Sequence, residues 1–294
     1  MSREYFFARY QDFGEKPREV KLCQSIRLQR QADHGEVLLR LAQAGAKMEK
    51  IPFLKNGYWV LSSTMSVGAT IEYLLGQYYV QEAASQLPVE ALFTEPPHQE
   101  EIILDTCSAP GGKTTQIALY HKGPIVALEK LGSRIDAVKN HVERMGITNV
   151  AVYKKDARFA HELGVQFDRI LVDAPCSGNF VTDVQWFGKR SIEMFLENQR
   201  RQKELLKSAY KALKPGGTLV YSTCSLEPEE NEIVVDWALK HLEGLKLAPI
   251  HTIGDPGFTK ILGQELDPSI ALTRRLWPWK TNTQGFFIAR FKKQ

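Results

Sequence analysis

Residues 101–115 read EIILDTCSAPGGKTT, an apolar run that passes through a glycine pair into a helical pattern. The apolar residues predict a buried strand over 101–106, and the helical pattern begins at Gly112. Glycines at such a strand-to-helix turn let the backbone come close to a bound ligand. The stretch therefore predicts the first strand–helix unit of an α/β sheet, with a ligand-binding turn at the carboxyl end of its strand.

The same alternation of strands and helices continues through the rest of the chain. Further strand-like runs are PIVALE (124–129), VAVYK (150–154), DRILVD (168–173), GTLVYST (217–223), KLAPI (246–250) and GFFIARF (285–291). Helical patterns separate several of them, and the longest, over about 190–213, stops at the sequence KPGG (214–217). This alternation predicts right-handed crossovers and a doubly wound, mainly parallel, seven-stranded Rossmann-like α/β sheet.

The first hundred residues are less regular. Short strand-like runs and a helical pattern predict a small α+β lobe over 1–65, followed by a helical connection over 66–100 and the main domain over 101–294. Residues 1–60 hold 11 Lys and Arg against 7 Asp and Glu, so the whole net charge of +4 lies in this lobe. We expect a polyanion partner to dock there, although an excess of four charges also arises by chance.

Composition argues against several classes of protein. The 294 residues are 43% hydrophobic and 24% charged, which suffices for a packed core and disfavours intrinsic disorder. No apolar run approaches the ~18–20 residues of a membrane span, and the charges throughout residues 1–20 are unlike a secretory signal. The four cysteines lack the spacing of a zinc site, so we expect no metal, and reduced thiols in the cytoplasm.

Acidic residues stand at or just beyond four strand ends: Asp105, Glu129, Asp156 and Asp173. Ligands of open parallel sheets bind at this edge, where a carboxylate such as Glu129 accepts hydrogen bonds from two ribose hydroxyls. A phosphate-binding loop is disfavoured because its leading glycine would fall at Cys107. A nucleoside ligand without a phosphate grip suggests S-adenosylmethionine, with Asp156 near the adenine amino group. A solvated charge is the alternative for Glu129.

Two cysteines follow the ends of neighbouring strands: Cys176 in DAPCSG (173–178) and Cys224 in STCS (222–225). A buried cysteine is commonly an inert small hydrophobe, but two thiols at strand ends beside Asp173 indicate chemistry. Carbon 5 of cytosine is a poor nucleophile, and a thiolate added at carbon 6 turns the ring into an enamine-like species that attacks a methyl sulfonium. An acid at the ring nitrogen and a base for the carbon-5 proton complete the reaction.

Three motifs stand in a characteristic order: DTCSAPGGKTT (105–115), LVDAPCSGN (171–179) and YSTCSLEPEENE (221–232). With GQYYVQEAAS (76–85) and TQGFFIARF (283–291), they resemble the RsmB/NOP (Sun-domain) family of RNA (cytosine-C5) methyltransferases. The resemblance implies a class I methyltransferase fold, S-adenosylmethionine as cofactor and RNA as substrate. NFVTD (179–183) is most similar to compact archaeal tRNA members, which favours tRNA, at the junction of variable loop and T-stem, over rRNA.

The resemblance also implies roles for individual residues. Cys224 is the nucleophile, Cys176 assists release of the product, and Lys113 faces the target base, with Asp173 as a further catalytic group. The implied cofactor contacts are Cys107, Ser108, Ala109, Pro110, Gly111, Gly112, Lys113, Glu129, Arg134, Asp156 and Asp173. The loop GNFVTDVQWFGKR (178–190) lacks the Arg-Arg-x-Pro run of many relatives, which leaves base docking open.

RNA contacts are expected from cations in the first lobe and in the basic-aromatic stretch RRLWPWK (274–280). They neutralise phosphates and help to offset the cost of flipping a base, about a few kcal/mol. The candidates are Lys21, Arg27, Arg30, Arg274 and Arg275. We expect a monomer. The alternatives are the same chemistry on rRNA, or a non-catalytic RNA-binding factor, which has no need of two thiols at strand ends.

Overall fold

The computed structural model describes residues 1–294, which form a small N-terminal sheet and a large central sheet with helices around both. The helices are α1 (Arg3–Asp12), α2 (His34–Gln43), α3 (Ile71–Leu74), α4 (Ala83–Leu92), α5 (Gly112–Tyr120), α6 (Gly132–Arg144), α7 (Trp186–Lys189), α8 (Ile192–Ala212), α9 (Glu232–His241) and α10 (Pro278–Thr281). The strands are β1 (Gln24–Leu28), β2 (Ala46–Lys50), β3 (Gly57–Ser63), β4 (Tyr78–Val80), β5 (Ile103–Asp105), β6 (Ile125–Glu129), β7 (Val150–Lys154), β8 (Phe167–Asp173), β9 (Leu213–Thr223), β10 (Leu245–Leu247), β11 (Asp255–Pro256), β12 (Lys260–Ile261), β13 (Gln264–Glu265), β14 (Arg274–Leu276) and β15 (Phe286–Lys293). None of the helices combines the length and the apolar character needed to cross a membrane.

The central sheet has the strand order β11-β14-β15-β9-β8-β5-β6-β7, and β10 also pairs with β15. Strands β5 to β9 pair in parallel, and β15 joins β9 in the antiparallel direction. All seven strands expected from the apolar runs are present, which confirms the mainly parallel α/β fold. The sheet has nine strands rather than seven because the short strands β11 and β14 pair at its edge.

Side chains of the parallel strands alternate between the two faces of the sheet and fill a hydrophobic layer on each side. Ile103 and Leu171 pack in one cluster with residues of α4 and α5. Their neighbours Leu104 and Ile170 pack in the opposite cluster with residues of α8 and α9. Helices on both faces thus fix the strands, so that the carboxyl ends of β5, β8 and β9 meet at one edge.

The N-terminal sheet has the strand order β2-β3-β1-β4, and all its pairs are antiparallel. Helices α3 and α4 form within the segment 66–100, where the sequence predicts a helical connection. Strand β4 also lies in this segment. The small sheet therefore extends beyond the predicted boundary at residue 65. A strand of three residues has too short a pattern to be read from the sequence alone.

Helix α1 packs on the central domain rather than on the N-terminal sheet. Phe6 and Tyr10 are fully buried in an aromatic cluster. The ring centroid of Phe6 lies 4.6 Å from that of Trp186, and that of Tyr10 lies 6.0 Å from that of Trp277. Contacts of this kind stabilise through the area they bury and through the geometry of the rings. The lobe predicted over 1–65 therefore does not include this helix.

Arg27 on β1 connects the N-terminal sheet to the central domain from inside the protein. Its side chain is 1% exposed and donates hydrogen bonds to Gln81 Oε1 at 2.8 Å, to the carbonyl oxygen of Gly112 at 2.8 Å and to Thr115 Oγ1 at 2.9 Å. These partners are neutral, and burial lowers the pKa of Arg27 to about 9. The prediction that Arg27 contacts RNA is wrong, because this buried guanidinium does not reach a surface phosphate.

Substituting Arg27 by alanine is expected to lower the free energy of unfolding by about 3 kcal/mol, since it opens a cavity and removes three buried hydrogen bonds. Chemical denaturation measures this loss. Arg30, which is exposed on the same segment, provides the matched control, and Arg30→Ala should change stability by less than about 0.5 kcal/mol. Equal stability of the two variants would contradict a structural role for Arg27.

Candidate active site

The ends of β8 and β9 bring two cysteines into contact. The two strands are parallel neighbours, and Asp173 near the end of β8 lies opposite Ser222 on β9. The loops that follow place Cys176 Sγ 3.3 Å from Cys224 Sγ. Both thiols are half-buried, and neither forms a disulfide. The sequence correctly predicts that these side chains converge, because adjacent parallel strands end at the same edge of the sheet.

The environment of the two thiols makes them unequal. The hydrogen bond from Cys176 lowers the pKa of Cys224 below its ordinary value of 9.0, although burial opposes this shift. The same contact, together with burial, raises the pKa of Cys176 well above 9.0. By contrast, burial raises the pKa of Cys107 to about 12. Since the thiolate is the nucleophilic form, Cys224 is the thiol of these three best suited to attack.

A lysine and an aspartate lie beside the thiols. Lys113, in the first turn of α5, places its Nζ 2.7 Å from Asp173 Oδ2, and Ser222 Oγ donates to Asp173 Oδ1 at 2.7 Å. Burial acts to lower the pKa of Lys113, but the carboxylate of Asp173 outweighs it, so the pKa is raised. The site therefore holds an ordered ammonium–carboxylate pair, which can donate a proton to a nucleobase bound beside it.

The glycine-rich turn closes the backbone around the start of α5. Gly111 has φ of 115°, and a Cβ at this position would lie 3.3 Å from the Cα of Val138, so the turn requires glycine. The backbone N–H of Ser108 donates to the carbonyl oxygen of Leu128 at 2.9 Å, which joins the turn to β6. Arg134 donates to the carbonyl oxygen of Ala109 at 2.9 Å. The turn is thus held from two sides.

A cavity of about 300 Å³ opens next to this turn. Its lining combines carboxylates, cations and apolar side chains: Thr106, Cys107, Glu129, Lys130, Leu131, Arg134, Asp156, Ala157, Arg158, Pro175, Arg201 and Leu205. This volume lies at the lower end of the range of small-molecule sites, roughly 300–1,000 Å³. Pro175 directly precedes Cys176, so the cavity borders the loop that carries the thiol.

The two acids of the cavity differ in how they are held. Glu129 Oε1 accepts the backbone N–H of Leu131 at 2.8 Å, and Oε2 lies 3.5 Å from Arg134. Hydrogen bonds from Arg158 and Lys130 lower the pKa of Asp156. Glu129 therefore keeps lone pairs for a ligand, whereas Asp156 is largely occupied by its neighbouring cations.

The predicted cofactor residues fall into two groups. Four of them line the cavity: Cys107, Glu129, Arg134 and Asp156. The others do not line it: residues 108–112 form the turn beside it, and Lys113 and Asp173 lie with the thiols. No three or more histidine, cysteine, aspartate or glutamate side chains are grouped so as to hold a metal ion.

Asp105 is a fully buried acid at the end of β5. It accepts hydrogen bonds from Thr114 Oγ1 at 2.7 Å and from the backbone N–H of Cys107 at 3.3 Å, yet burial raises its pKa to about 6. The ordinary pKa of such a group is 3.8. Asp105 therefore binds a proton more tightly in the folded protein than in the unfolded chain.

This raised pKa predicts a pH-dependent difference in stability between the wild type and Asp105→Asn. A folded-state pKa above the unfolded value favours folding below pH 4, and this contribution is lost as the pH rises through 6. The wild type should lose about 2 kcal/mol relative to the variant between pH 4 and pH 7. Denaturant unfolding at several pH values measures it, and a difference that stays constant with pH would contradict the assignment.

The predicted RNA contacts are only partly at the surface. Lys21 and Arg30 are exposed, and Arg274 is half-buried. Arg275 is 1% exposed, donates from Nε to Glu232 Oε1 at 2.8 Å and also binds the carbonyl oxygen of Leu226. The prediction that Arg275 contacts RNA is wrong, because a fully buried ion pair holds its guanidinium. The tryptophans of the stretch 274–280 are likewise core residues.

Sequence reasoning missed a buried acidic cluster behind the thiols. Four carboxylates in the run EPEENE are no more than 5% exposed: Glu227, Glu229, Glu230 and Glu232. Burial raises the pKa of Glu227 to about 7, although Arg9 opposes the shift. A run of acids usually indicates a solvated surface. The signal that could have found them is their position directly after Cys224, within a motif that also contains the candidate nucleophile.

Comparisons with known proteins agree with this geometry. Residues 92–292 match the sequence model described as 16S rRNA methyltransferase RsmB/F, and residues 2–83 match the N-terminal domain of 16S rRNA methyltransferase RsmF. A crystal structure of a methyltransferase homologue from Pyrococcus horikoshii is 36% identical, with a TM-score of 0.84, and the match covers 93% of this chain and 87% of that one.

Two curated relatives are similar over most of this chain. The human 28S rRNA (cytosine(4447)-C(5))-methyltransferase is 39% identical over 290 residues, which are 95% of this chain and 35% of the human protein. Ribosomal RNA small subunit methyltransferase F of Klebsiella pneumoniae is 37% identical over 268 residues, which are 88% of this chain and 54% of that protein. The chain thus spans between about a third and about half of the length of these two relatives. It belongs to the 16S rRNA methyltransferase RsmB/F family, which confirms the resemblance found in its motifs.

Proposed function

We propose that this protein transfers a methyl group from S-adenosylmethionine to carbon 5 of a cytosine in RNA, through a transient bond between Cys224 and the base. One observation carries the proposal: the two thiol sulfurs lie 3.3 Å apart, next to the Lys113–Asp173 pair and the acidic cavity. A protein that only binds RNA has no use for this arrangement.

The cavity fits the adenosyl end of the cofactor. Glu129 keeps free lone pairs for ribose hydroxyls, and the apolar side chains of Leu131 and Leu205 suit the faces of a flat ring. The bound cofactor supplies an electrophilic methyl group on a sulfonium sulfur. Arg134 contributes by holding Glu129 and the turn at Ala109.

The groups around the thiols account for the steps on the base. The Cys224 thiolate adds to carbon 6 of cytosine, while Asp173 and Lys113 supply a proton to the ring nitrogen as negative charge develops there. Carbon 5 then carries the electron pair that takes the methyl group. Water takes the carbon-5 proton, the bond between carbon 6 and sulfur breaks with the assistance of Cys176, and Cys224 returns as the thiolate. The ring nitrogen gives its proton back to the Lys113–Asp173 pair.

Ribosomal RNA is the substrate that we favour, because both curated relatives described above are named for methylation of rRNA. Transfer RNA remains the second candidate, since the sequence NFVTD after the first thiol resembles compact tRNA members of the family. The two free thiols suit a reducing compartment, so we expect the protein to act in the cytoplasm. We also expect it to act as a monomer.

The test uses cofactor labelled in its methyl group, with unmodified rRNA and total tRNA as separate substrates. We expect label at carbon 5 of a single cytosine in rRNA, found by mapping the modified nucleoside. Label in tRNA alone would show that the substrate is tRNA and not rRNA, while the proposed reaction would stand. The absence of transfer to either RNA, with RNA binding retained, would contradict the enzymatic proposal and favour a binding factor.

A further inference from the structure

Glu230 joins the two loops that carry the thiols. We call residues 174–179 the first thiol loop and residues 224–231 the second thiol loop. Ser177 follows Cys176 in the first loop, and Ser225 follows Cys224 in the second. The carboxylate of Glu230 lies between these two serines and accepts hydrogen bonds from both.

The contacts of Glu230 use both carboxylate oxygens. Oε1 accepts the backbone N–H of Ser177 at 3.0 Å and the side-chain N–H of Gln202 at 3.3 Å. Oε2 accepts the hydroxyl of Ser225 at 2.6 Å and the hydroxyl of Ser177. The two serine hydroxyls are also only 3.1 Å apart. One side chain therefore bonds the residue next to each thiol.

Burial makes these contacts firm. Glu230 is 0% exposed, Ser177 is 2% exposed and Ser225 is 0% exposed, so water does not compete for the hydrogen bonds. The partners are neutral donors on both loops, and an ionised carboxylate is an acceptor for all of them. Charge-assisted hydrogen bonds of this kind are shorter and stronger than neutral ones. Losing the carboxylate would remove the acceptor that both loops share.

We infer that Glu230 is a positioning residue that fixes the separation between the sulfurs of Cys176 and Cys224. This inference rests on the proposed function, in which the second thiol must stand beside the bond formed by the first. Its carboxylate accepts no hydrogen bond from either sulfur and holds the two loops through Ser177 and Ser225. A misplacement of about 1 Å in such a site can lower a rate about 10²-fold.

The first test needs neither RNA nor cofactor. Diamide oxidises two neighbouring thiols to a disulfide and is itself reduced to the hydrazine, and mass spectrometry of peptides identifies the bridge between Cys176 and Cys224. We expect Glu230→Gln to form this bridge at least tenfold more slowly than the wild type. Equal rates in the two proteins, or no bridge in either, would overturn the inference.

Glu227→Gln is the matched control, because Glu227 is another fully buried carboxylate in the same motif. Its carboxylate binds Tyr10 and Arg9 of helix α1. That carboxylate accepts no hydrogen bond from Ser177 or Ser225. Its bridge should form within twofold of the wild-type rate. If Glu230→Gln does not fold, Ser225→Ala, which removes one neutral donor, takes its place, with a slower bridge expected.

The second test measures methylation. Glu230→Gln should lower kcat about 10- to 100-fold with little change in KM for RNA, and it should accumulate a denaturation-resistant protein–RNA complex, since release depends on the second thiol. Wild-type turnover and release in this variant would overturn the positioning role. If the wild type itself transfers no methyl group, the proposed function fails, whereas the bridge rates still decide whether Glu230 sets the distance between the thiols.

Discussion

Cys224→Ala is expected to abolish methyl transfer, by at least about 10³–10⁴-fold, and to form no covalent complex with RNA. Its sulfur is the one whose pKa the contact with Cys176 lowers, and without it carbon 5 of cytosine has no means of activation. Cys176→Ala should still attack the base but release it slowly, so that a denaturation-resistant protein–RNA complex accumulates. Rates with labelled cofactor and denaturing gels separate the two outcomes.

Cys23→Ala serves as the control for these variants, because Cys23 is a free thiol that precedes β1 and belongs to neither thiol loop. Its turnover should stay within about twofold of the wild type. A covalent complex that persists in Cys224→Ala, or one that accumulates there and not in Cys176→Ala, would reverse the division of work between the two sulfurs.

Asp173→Asn is expected to lower kcat by about 10²–10⁴-fold, the range typical of a lost acid–base group. The amide can still accept the hydrogen bond of Ser222, but it gives up the charge that pairs with Lys113 at 2.7 Å. Without that pair, no positioned group donates a proton to the ring nitrogen of cytosine. Single-turnover rates with saturating RNA and cofactor measure the chemical step.

The same strand offers a matched control for Asp173. Asp168 lies on β8 near its opposite end and forms an ion pair with Lys214 at 2.8 Å. Asp168→Asn should change turnover by no more than about twofold, even if stability falls slightly. Comparable losses of activity in both variants would mean that the substitutions disturb strand β8 as a whole, and would contradict a specific role for Asp173 in the reaction.

The parallel strands and the convergence of the thiols could be read from the sequence. Long apolar runs between helical patterns define β5 to β9, and the rule that ligands bind at the carboxyl edge places Asp173, Cys176 and Cys224 together. These inferences hold because they depend on local patterns and on one general property of parallel sheets. The 3.3 Å distance between the sulfurs needed coordinates.

Burial of charged residues could not be read in the same way. The sequence predicts Arg27 and Arg275 at the surface because most arginines are solvated, yet partners far along the chain hold both inside: Thr115 for the first and Glu232 for the second. The acids of the run EPEENE are buried for a similar reason. The strands β4, β11 and β14 escaped prediction because each has at most three residues and gains its stability from a distant partner.

Helix α1 has a consequence for how the protein is made. It packs against aromatic residues far along the sequence, and in the adjoining segment Trp279 Nε1 donates to Glu15 at 3.0 Å across a separation of 264 residues. During synthesis the helix leaves the ribosome long before its partners exist, so Phe6 remains uncovered until Trp186 is made, and Tyr10 gains its contact with Trp277 later still. Such long-range contacts form late and slowly. Chaperone binding to the nascent chain should therefore concentrate on these aromatic residues.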